Sequence, residues 1–263
     1  MSYSLAGKVV FVTGASAGIG AAAARGFARE GAKLLLCARR IDDLRAMEHE
    51  LRSLGAQDVH SFELDVRDQE QVASAIGSLA AEWKQIEVLV NNAGLSRGLT
   101  KMYLDEIQDW EEMIDTNVKG LLYVTRAVVP GMVERGRGHV INLGSIAGHT
   151  AYPNGGVYCG TKAAERLITD GLRLDLNGTP VRVTSVDPGM VKTDFSKVRF
   201  RGNEERAAKT YENVEPLTAD DVADVIVWVA TRPAHVQIQT VLLTPVAQAN
   251  SFVLTRGPLD RRS

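Results

Sequence analysis

The chain has 263 residues, a hydrophobic fraction of 45% and a formal net charge of -2. This length and apolar content allow one large core, so we expect a single domain over residues 1–263. The small net charge favours neither nucleic acid nor an anionic membrane as a partner, and no segment is as long and apolar as a membrane span. The two cysteines, Cys37 and Cys159, lack disulfide or metal-site spacing, so we predict a metal-independent cytoplasmic protein.

Strand and helix signals alternate along the chain. An apolar run at 8–13 ends in glycines, and an alanine-rich helical stretch follows to residue 30. Further strands are predicted at 33–38, 59–64, 88–90, 139–143, 181–186 and 239–243, and further helices at 42–54, 68–83, 104–134 and 219–231. The long helix is expected to be interrupted near Gly120 or before Pro130. The alternation predicts an α/β fold, a doubly wound parallel sheet of about seven strands with helices on both faces.

Three glycines, Gly14, Gly18 and Gly20, follow the first predicted strand. Glycines at such a turn let the backbone approach a pyrophosphate, and the next helix directs its N-terminal amides at the negative charge. An ordinary glycine-rich turn is the competing interpretation of the motif taken alone. Its place at the first strand of an alternating series favours a dinucleotide site.

Tyr158 and Lys162 lie four positions apart on a further predicted helix, so their side chains share one face. A nearby cation favours a phenolate, the form of a tyrosine that accepts a proton. Such pairs also occur by chance on ordinary helices. Ser145 follows the strand at 139–143, which places its hydroxyl at the carboxyl edge of the sheet, where open α/β folds bind ligands. Taken singly, Ser145 could also be an ordinary loop hydroxyl.

The joint order of these motifs resembles the short-chain dehydrogenases/reductases over nearly the full chain. The motifs are Thr13-Gly14-x-x-x-Gly18-x-Gly20, Asn91-Asn92-Ala93-Gly94, Asp115-Thr116-Asn117, Ser145 and Tyr158-x-x-x-Lys162. The resemblance implies a Rossmann domain that transfers a hydride to or from a nicotinamide. It implies that Ser145 holds the substrate oxygen and that Tyr158 transfers the proton. Lys162 would favour the phenolate and bind the nicotinamide ribose, and Asn117 would help to hold a water for proton relay.

The end of the second strand bears on the choice of cofactor. An acid there would bind the adenosine ribose hydroxyls, whereas arginine accommodates a 2′-phosphate. Arg39 and Arg40 occupy this place and no acid precedes Asp42, which favours NADP (NADPH), with Ser16 as a helper. Solvated arginines, or Asp42 or Asp43 turned inward, are the alternatives.

The family resemblance extends the cofactor site to other segments. The added residues are Ile19, Asp65, Val66, Asn92, Ala93, Gly94, Pro188, Gly189, Val191 and Thr193. Asp65 would lie near the adenine, although its position also suits a cap of the following helix. Thr193 would meet the nicotinamide carboxamide.

Substrate choice is expected to lie in the segment 189–215, where loops can close over the cofactor. Arg199 and Arg201 fall in this segment, and an arginine grips a carboxylate in a bidentate manner. A solvated or subunit-facing helix, with Glu204 and Glu205 as local partners, is the alternative.

Several further motifs resemble the branch of NADP-dependent 3-hydroxy acid dehydrogenases that act on serine and L-allo-threonine. They include Met113-Ile114-Asp115-Thr116-Asn117, Val198-Arg199-Phe200 and Pro233-Ala234-His235-Val236. This resemblance implies a small 3-hydroxy acid substrate held by Ser145, Tyr158 and Arg199, and a homotetramer. A broad carbonyl reductase or 3-oxoacyl reductase is the alternative enzyme. A protein that senses NADPH without turnover is the alternative from a different class.

Overall fold

The computed structural model describes residues 3–259, so residues 1–2 and 260–263 of the predicted domain lie outside the described part. Seven strands form one parallel sheet in the order β3-β2-β1-β4-β5-β6-β7. They are β1 (Val9–Thr13), β2 (Lys33–Ala38), β3 (Asp58–Glu63), β4 (Ile86–Asn91), β5 (Gly138–Leu143), β6 (Val181–Pro188) and β7 (Thr240–Leu243). The predicted doubly wound parallel sheet is confirmed. That residues 1–263 form a single domain stays a prediction.

Helices cover both faces of this sheet. They are α1 (Gly18–Arg29), α2 (Ile41–Ser53), α3 (Gln69–Ser78), α4 (Ile107–Ile114), α5 (Leu121–Glu134), α6 (Gly156–Asp175), α7 (Phe195–Arg199), α8 (Glu204–Thr210) and α9 (Ala219–Ala230). Both α7 and α8 lie in the segment at 189–215, which the sequence pattern did not resolve into helices. None of the helices within residues 3–259 combines the length and the apolar character needed to cross a bilayer.

Two hydrophobic layers form because successive strand residues point to opposite faces. Val10 and Leu34 pack with α1, α2 and α9 on one face. Phe11 and Leu35 pack with α3 and α5 on the other. The central strands β1 and β2 are therefore apolar on both sides, as is usual in parallel sheets, whereas the edge strands β3 and β7 are partly exposed.

The predicted helix at 68–83 is too long. The helix α3 ends at Ser78. The Ser78 hydroxyl donates to the carbonyl of Ala75 and so competes with backbone N–H groups for that acceptor. Leu79 leaves the helix in an extended conformation, and both Leu79 and Trp83 are buried against the sheet. Tertiary burial of these two apolar side chains therefore decides where the helix ends.

The predicted helix at 104–134 is divided into α4, a π-helical segment Asp115–Gly120, and α5. The interruption lies at Gly120, as one of the two alternatives stated, whereas α5 continues through Pro130. A β-carbon at Gly120 would lie 2.7 Å from Val66 Cγ2, so only glycine allows this close packing. The π-helical segment carries Asn117 and thus sets its position.

Candidate active site

A cavity of about 650 Å³ opens at the carboxyl edge of the sheet, a volume that suits a cofactor and a small substrate. It lies where the chain order of the strands reverses between β1 and β4, the place at which doubly wound sheets bind ligands. Predicted site residues that line it are Gly14, Ser16, Gly18, Ile19, Arg39, Arg40, Asp65, Val66, Asn92, Ala93, Gly94, Ser145, Tyr158, Lys162, Pro188, Gly189, Val191 and Thr193. Three other predicted residues do not line the cavity but contact residues that do: Gly20 lies against Asn92 and Gly14, Asn117 bonds to Leu95, and Arg199 lies over Tyr158.

The turn after β1 is shaped by its glycines. Gly14 and Gly18 have φ angles of 63° and 53°, in the left-handed region that favours glycine. A β-carbon at Gly20 would lie 2.5 Å from both Asn92 Nδ2 and the carbonyl oxygen of Gly14. The turn therefore brings its backbone to the cavity and points the N-terminus of α1 at it, which is the geometry that a pyrophosphate needs.

The segment after β4 is tied to this turn by hydrogen bonds. The Thr13 hydroxyl accepts from the backbone N–H groups of Asn92 (3.0 Å) and Ala93 (3.1 Å). The side-chain amide of Asn92 donates to the carbonyls of Thr13 (2.9 Å) and Gly14 (3.1 Å). These contacts fix the two strand ends against each other, so Asn92 and Ala93 support the cavity wall.

Two cations lie at the rim next to the end of β2. Arg39 and Arg40 are exposed there, and Arg40 Nη2 donates to Ser16 Oγ at 3.2 Å. Arg40 Nε pairs with Asp43 at 2.5 Å, and Asp43 rather than Asp42 lines the cavity. The pairing partly neutralises Arg40, while Arg39 adds a second positive charge to the rim.

Asp65 lines the cavity beyond β3 and pairs with Arg67, whose Nη2 lies 2.6 Å from Asp65 Oδ2. Burial opposes the charged form, but the hydrogen bonds from Arg67 lower the pKa of Asp65 overall. The residue that caps α3 is Asp68, which accepts from the backbone N–H of Gln71, so the alternative role of Asp65 as the cap of α3 is wrong.

Tyr158 and Lys162 project from the first turns of α6, and both are buried. Lys162 Nζ donates to the Leu143 carbonyl and to Glu165 Oε2, both at 2.7 Å. Burial alone would lower the pKa of Lys162, but the negative charges of Glu165 and the nearby Tyr158 and Asp187 raise it overall. Lys162 therefore keeps its charge beside the tyrosine.

Glu165 was missed by the sequence analysis. Burial raises its pKa to about 7, even though Lys162 acts in the opposite direction. A signal was present in the sequence, because positions 158, 162 and 165 share one face of a helix.

Ser145 sits at the carboxyl edge of the sheet and begins a short 3₁₀ turn, Ile146–Gly148. Its hydroxyl accepts from the backbone N–H of Ala147 at 3.1 Å and donates to the Pro188 carbonyl at 3.4 Å. The long second bond leaves the hydroxyl hydrogen available for a ligand oxygen. Its position on the cavity wall with Tyr158 agrees with the predicted grouping.

Asn117 is held more tightly than the sequence suggested. Its Oδ1 accepts from the backbone N–H of Leu95, and its Nδ2 donates to the Leu95 carbonyl (both 2.8 Å) and to Thr161 Oγ1 (3.0 Å). A β-carbon at Gly94 would lie 3.4 Å from Asn117 Oδ1 and 3.7 Å from Lys162 Nζ. The two polar groups thus flank Gly94, and Asn117 joins the π-helical segment to α6.

Arg199 ends α7 beside the tyrosine. Its guanidinium carbon lies 5.4 Å from the Tyr158 ring centroid and 5.1 Å from that of Phe195. Arg199 Nη2 donates to the Tyr152 hydroxyl at 3.0 Å, while Nε is buried without a hydrogen-bond partner among residues 3–259. Tyr152 and Phe195 were not predicted as site residues, because nothing local in the sequence marks them.

Arg201, the second arginine considered for a carboxylate, points elsewhere. It pairs with Asp109 on α4, and its side chain is largely exposed. Neither arginine pairs with Glu204 in the structure, since that acid contacts Lys197 at 3.2 Å. Of these two arginines, it is therefore Arg199 that lies next to the candidate catalytic tyrosine.

The family model for short chain dehydrogenase matches residues 8–204, which is most of the chain. The chain belongs to the short chain dehydrogenase family. The resemblance predicted from the ordered motifs is confirmed, and residues of each of these motifs line the cavity described above. Among residues 3–259, no group of three or more potential metal-ligating side chains accompanies it.

Individual members of the short chain dehydrogenase family match over nearly the whole chain. An enzyme of Salmonella typhi named NADP-dependent 3-hydroxy acid dehydrogenase YdfG is 50% identical over 242 residues, 92% of this chain and 96% of that protein. A serine 3-dehydrogenase of Rhizobium radiobacter is 43% identical over 91% of this chain and 94% of its own. The closed form of a serine dehydrogenase complexed with NADP⁺ superposes with a TM-score of 0.89 at 45% identity, covering 95% of this chain and all of that one.

Proposed function

We propose that this protein is an NADP-dependent oxidoreductase that transfers a hydride between the nicotinamide and a small 3-hydroxy acid or its oxo form. The observation that carries the proposal is the placement of Ser145, Tyr158 and Lys162 on the wall of the same cavity as the glycine turn. The names of the two relatives and the NADP⁺ complex of the similar structure support the cofactor and the substrate class.

The residues present fit a dinucleotide. Gly14, Gly18 and the N-terminus of α1 would hold the pyrophosphate, and Arg39 and Arg40 would bind the 2′-phosphate with help from Ser16. Asp65 and Val66 would lie at the adenine end, and the segment from Pro188 to Thr193 at the nicotinamide end. When bound, NADP supplies the group that accepts or donates the hydride.

The chain's own side chains carry out the proton chemistry. The Ser145 hydroxyl would donate to the substrate oxygen and hold it next to Tyr158. In oxidation Tyr158 would take the alcohol proton, and in reduction it would return a proton to the carbonyl oxygen. The buried ammonium of Lys162 would favour the phenolate, and Asn117 would help to hold a water that connects Lys162 to solvent.

Arg199 would bind the carboxylate of the substrate. Its guanidinium stacks on Tyr158 and Phe195, and its buried Nε–H lacks an acceptor among the described residues, so this group can donate a hydrogen bond to a ligand anion. A carboxylate in this position would satisfy that donor and would place the 3-hydroxyl near Tyr158. The substrate class therefore depends on Arg199.

Arg199→Met is expected to raise KM for 3-hydroxy acids by about 10- to 100-fold, because a charge-assisted hydrogen bond is lost. The methionine keeps an apolar stem against the Phe195 and Tyr158 rings. Turnover of uncharged ketones should change little. Arg201→Ala is the matched control, since Arg201 pairs with Asp109 outside the cavity. An equal loss on charged and uncharged substrates would contradict the carboxylate role.

A substrate screen tests the proposed function as a whole. Formation of the reduced cofactor is followed with serine, L-allo-threonine and 3-hydroxyisobutyrate, each with NADP⁺ and with NAD⁺. The expected result is turnover of at least one acid, with a preference for NADP⁺. Strong reduction of uncharged ketones without turnover of any acid would instead indicate a broad carbonyl reductase. Binding of NADPH without turnover on any substrate would indicate a sensor.

We further propose a homotetramer located in the cytoplasm. The exposed apolar side chains Leu167 and Leu174 on α6 are 61% and 77% accessible in the isolated chain, which suits a subunit contact. Both cysteines are free and buried, as expected in a reducing compartment. Size-exclusion chromatography with light scattering measures the mass directly, and a monomer would refute the tetramer.

A further inference from the structure

A buried acid, Glu165, lies next to the proposed proton-transfer pair, and the proposed chemistry does not use it. Its side chain is 2% exposed, and its Oε2 lies 2.7 Å from Lys162 Nζ. Its other carboxylate oxygen, Oε1, is buried without a hydrogen-bond partner among residues 3–259. Burying a carboxylate with one unpaired oxygen lowers the free energy of unfolding unless its charge stabilises a neighbouring group.

The ionisable groups that act on Glu165 come from α6 and from the end of β6. Lys162 lies on the same helix, and Asp187 on β6 is a second buried acid that acts on both Lys162 and Glu165. Asp187 accepts from the Ser185 hydroxyl and lies 2.5 Å from His149 Nε2, beyond the 3₁₀ turn. Both of these partners bind the carboxylate of Asp187, whereas Glu165 has Lys162 as its hydrogen-bond partner.

We propose that Glu165 is a positioning residue. Its ionised carboxylate competes with Tyr158 and with the cofactor ribose for the Lys162 ammonium, and protonation of Glu165 weakens its interaction with that ammonium. The ionised carboxylate offsets the positive charge that Lys162 presents to the phenol. The neutral carboxyl leaves that charge uncompensated. The effect on activity rests on the proposed oxidoreductase function, but the ion pair itself does not.

Glu165→Gln tests the effect on activity, because glutamine keeps the size of the side chain and removes its charge. The acid limb of the kcat/KM profile for alcohol oxidation is expected to move to lower pH by about one unit, since the uncompensated lysine favours the phenolate. Glu87→Gln is the matched control. Glu87 is also a buried acid, but it stands at the start of β4, at the other end of the sheet, and pairs with Arg137. A uniform loss of rate with no shift of the limb would overturn the proposal.

Thermal unfolding of the protein without cofactor tests the ion pair independently of any substrate. The pKa of Glu165 is raised from an ordinary value of 4.5 to about 7, so the folded state binds more protons than the unfolded state in this window. The stability contributed by this group therefore falls as the pH rises from 4.5 to 7. The melting temperature of the wild type should fall over this range relative to that of Glu165→Gln.

Parallel melting curves of the two proteins over this range would overturn the proposal even if no substrate is found. If Glu165→Gln does not fold, Lys162→Met examines the same pair from the other side. Loss of the ammonium leaves burial unopposed and should extend the fall in stability to pH values above 7. An unchanged window in Lys162→Met would equally overturn the proposal.

Discussion

Tyr158→Phe is expected to lower kcat by about 10²- to 10⁴-fold, the range that general acid–base groups contribute. The change removes one oxygen from a buried ring that packs against Phe195 at 5.7 Å and carries the Arg199 guanidinium at 5.4 Å. The phenylalanine ring can keep both contacts, so folding and NADPH binding should survive. Steady-state kinetics together with NADPH fluorescence titration measure the two quantities separately.

Tyr123→Phe is the control for the tyrosine experiment. Tyr123 lies on α5 among residues that pack on the second hydrophobic layer, and it does not line the cavity. Its substitution should leave kcat unchanged. Loss of a general acid–base group should leave far less than about a tenth of the wild-type kcat. If Tyr158→Phe retained more than that, Tyr158 would not be the proton-transfer group.

The double substitution of Arg39 and Arg40 by alanine is expected to raise KM for NADP⁺ by about 100-fold or more while KM for NAD⁺ changes little. Each charge-assisted contact to a phosphate is worth about 1.5 to 3 kcal/mol, and two are lost. Arg40 also bonds to Ser16 and Asp43 at the cavity rim. The single variants Arg39→Ala and Arg40→Ala should therefore raise KM for NADP⁺ by different amounts. Kinetics with both cofactors provide the comparison.

Arg45→Ala is the matched control for the arginine pair, since Arg45 is an exposed residue of α2 that does not line the cavity. It should alter neither KM. Equal increases for NADP⁺ and NAD⁺ in the double variant would show that Arg39 and Arg40 do not read the 2′-phosphate.

The order of the fold could be predicted from the sequence because the first two strands are continuous apolar runs and the strand signals alternate with helix signals along the whole chain. The glycines of the first turn and the helical spacing of Tyr158 and Lys162 are likewise local patterns that specify geometry within a few residues. Where tertiary contacts decide the outcome, the sequence was insufficient. The burial of Leu79 and Trp83 ends α3 early, and the contact of Gly120 with Val66 accompanies the π-helical segment.

The less predictable part of the site is the part built by residues distant in the chain. Tyr152 meets Arg199 across 47 positions, and Asn117 meets Thr161 across 44, so no local window contains either contact. By residue type and segment alone Arg199 and Arg201 looked equivalent; the family resemblance favoured Arg199, and their tertiary partners now distinguish them. The sequence places Glu165 on the same helix face as Lys162. Its importance for the charge of Lys162 becomes apparent only once the burial of that face is known.

The most direct measurement of the central claim is the transfer of deuterium from L-allo-threonine labelled at carbon 3. With purified enzyme and NADP⁺, the reduced cofactor should carry the deuterium, and the labelled substrate should react more slowly than the unlabelled one. Tyr158→Phe should slow the transfer by about 10²- to 10⁴-fold without preventing NADP⁺ from binding. Reduced cofactor that lacks the label, or no reduction with any 3-hydroxy acid, would contradict hydride transfer from this substrate class.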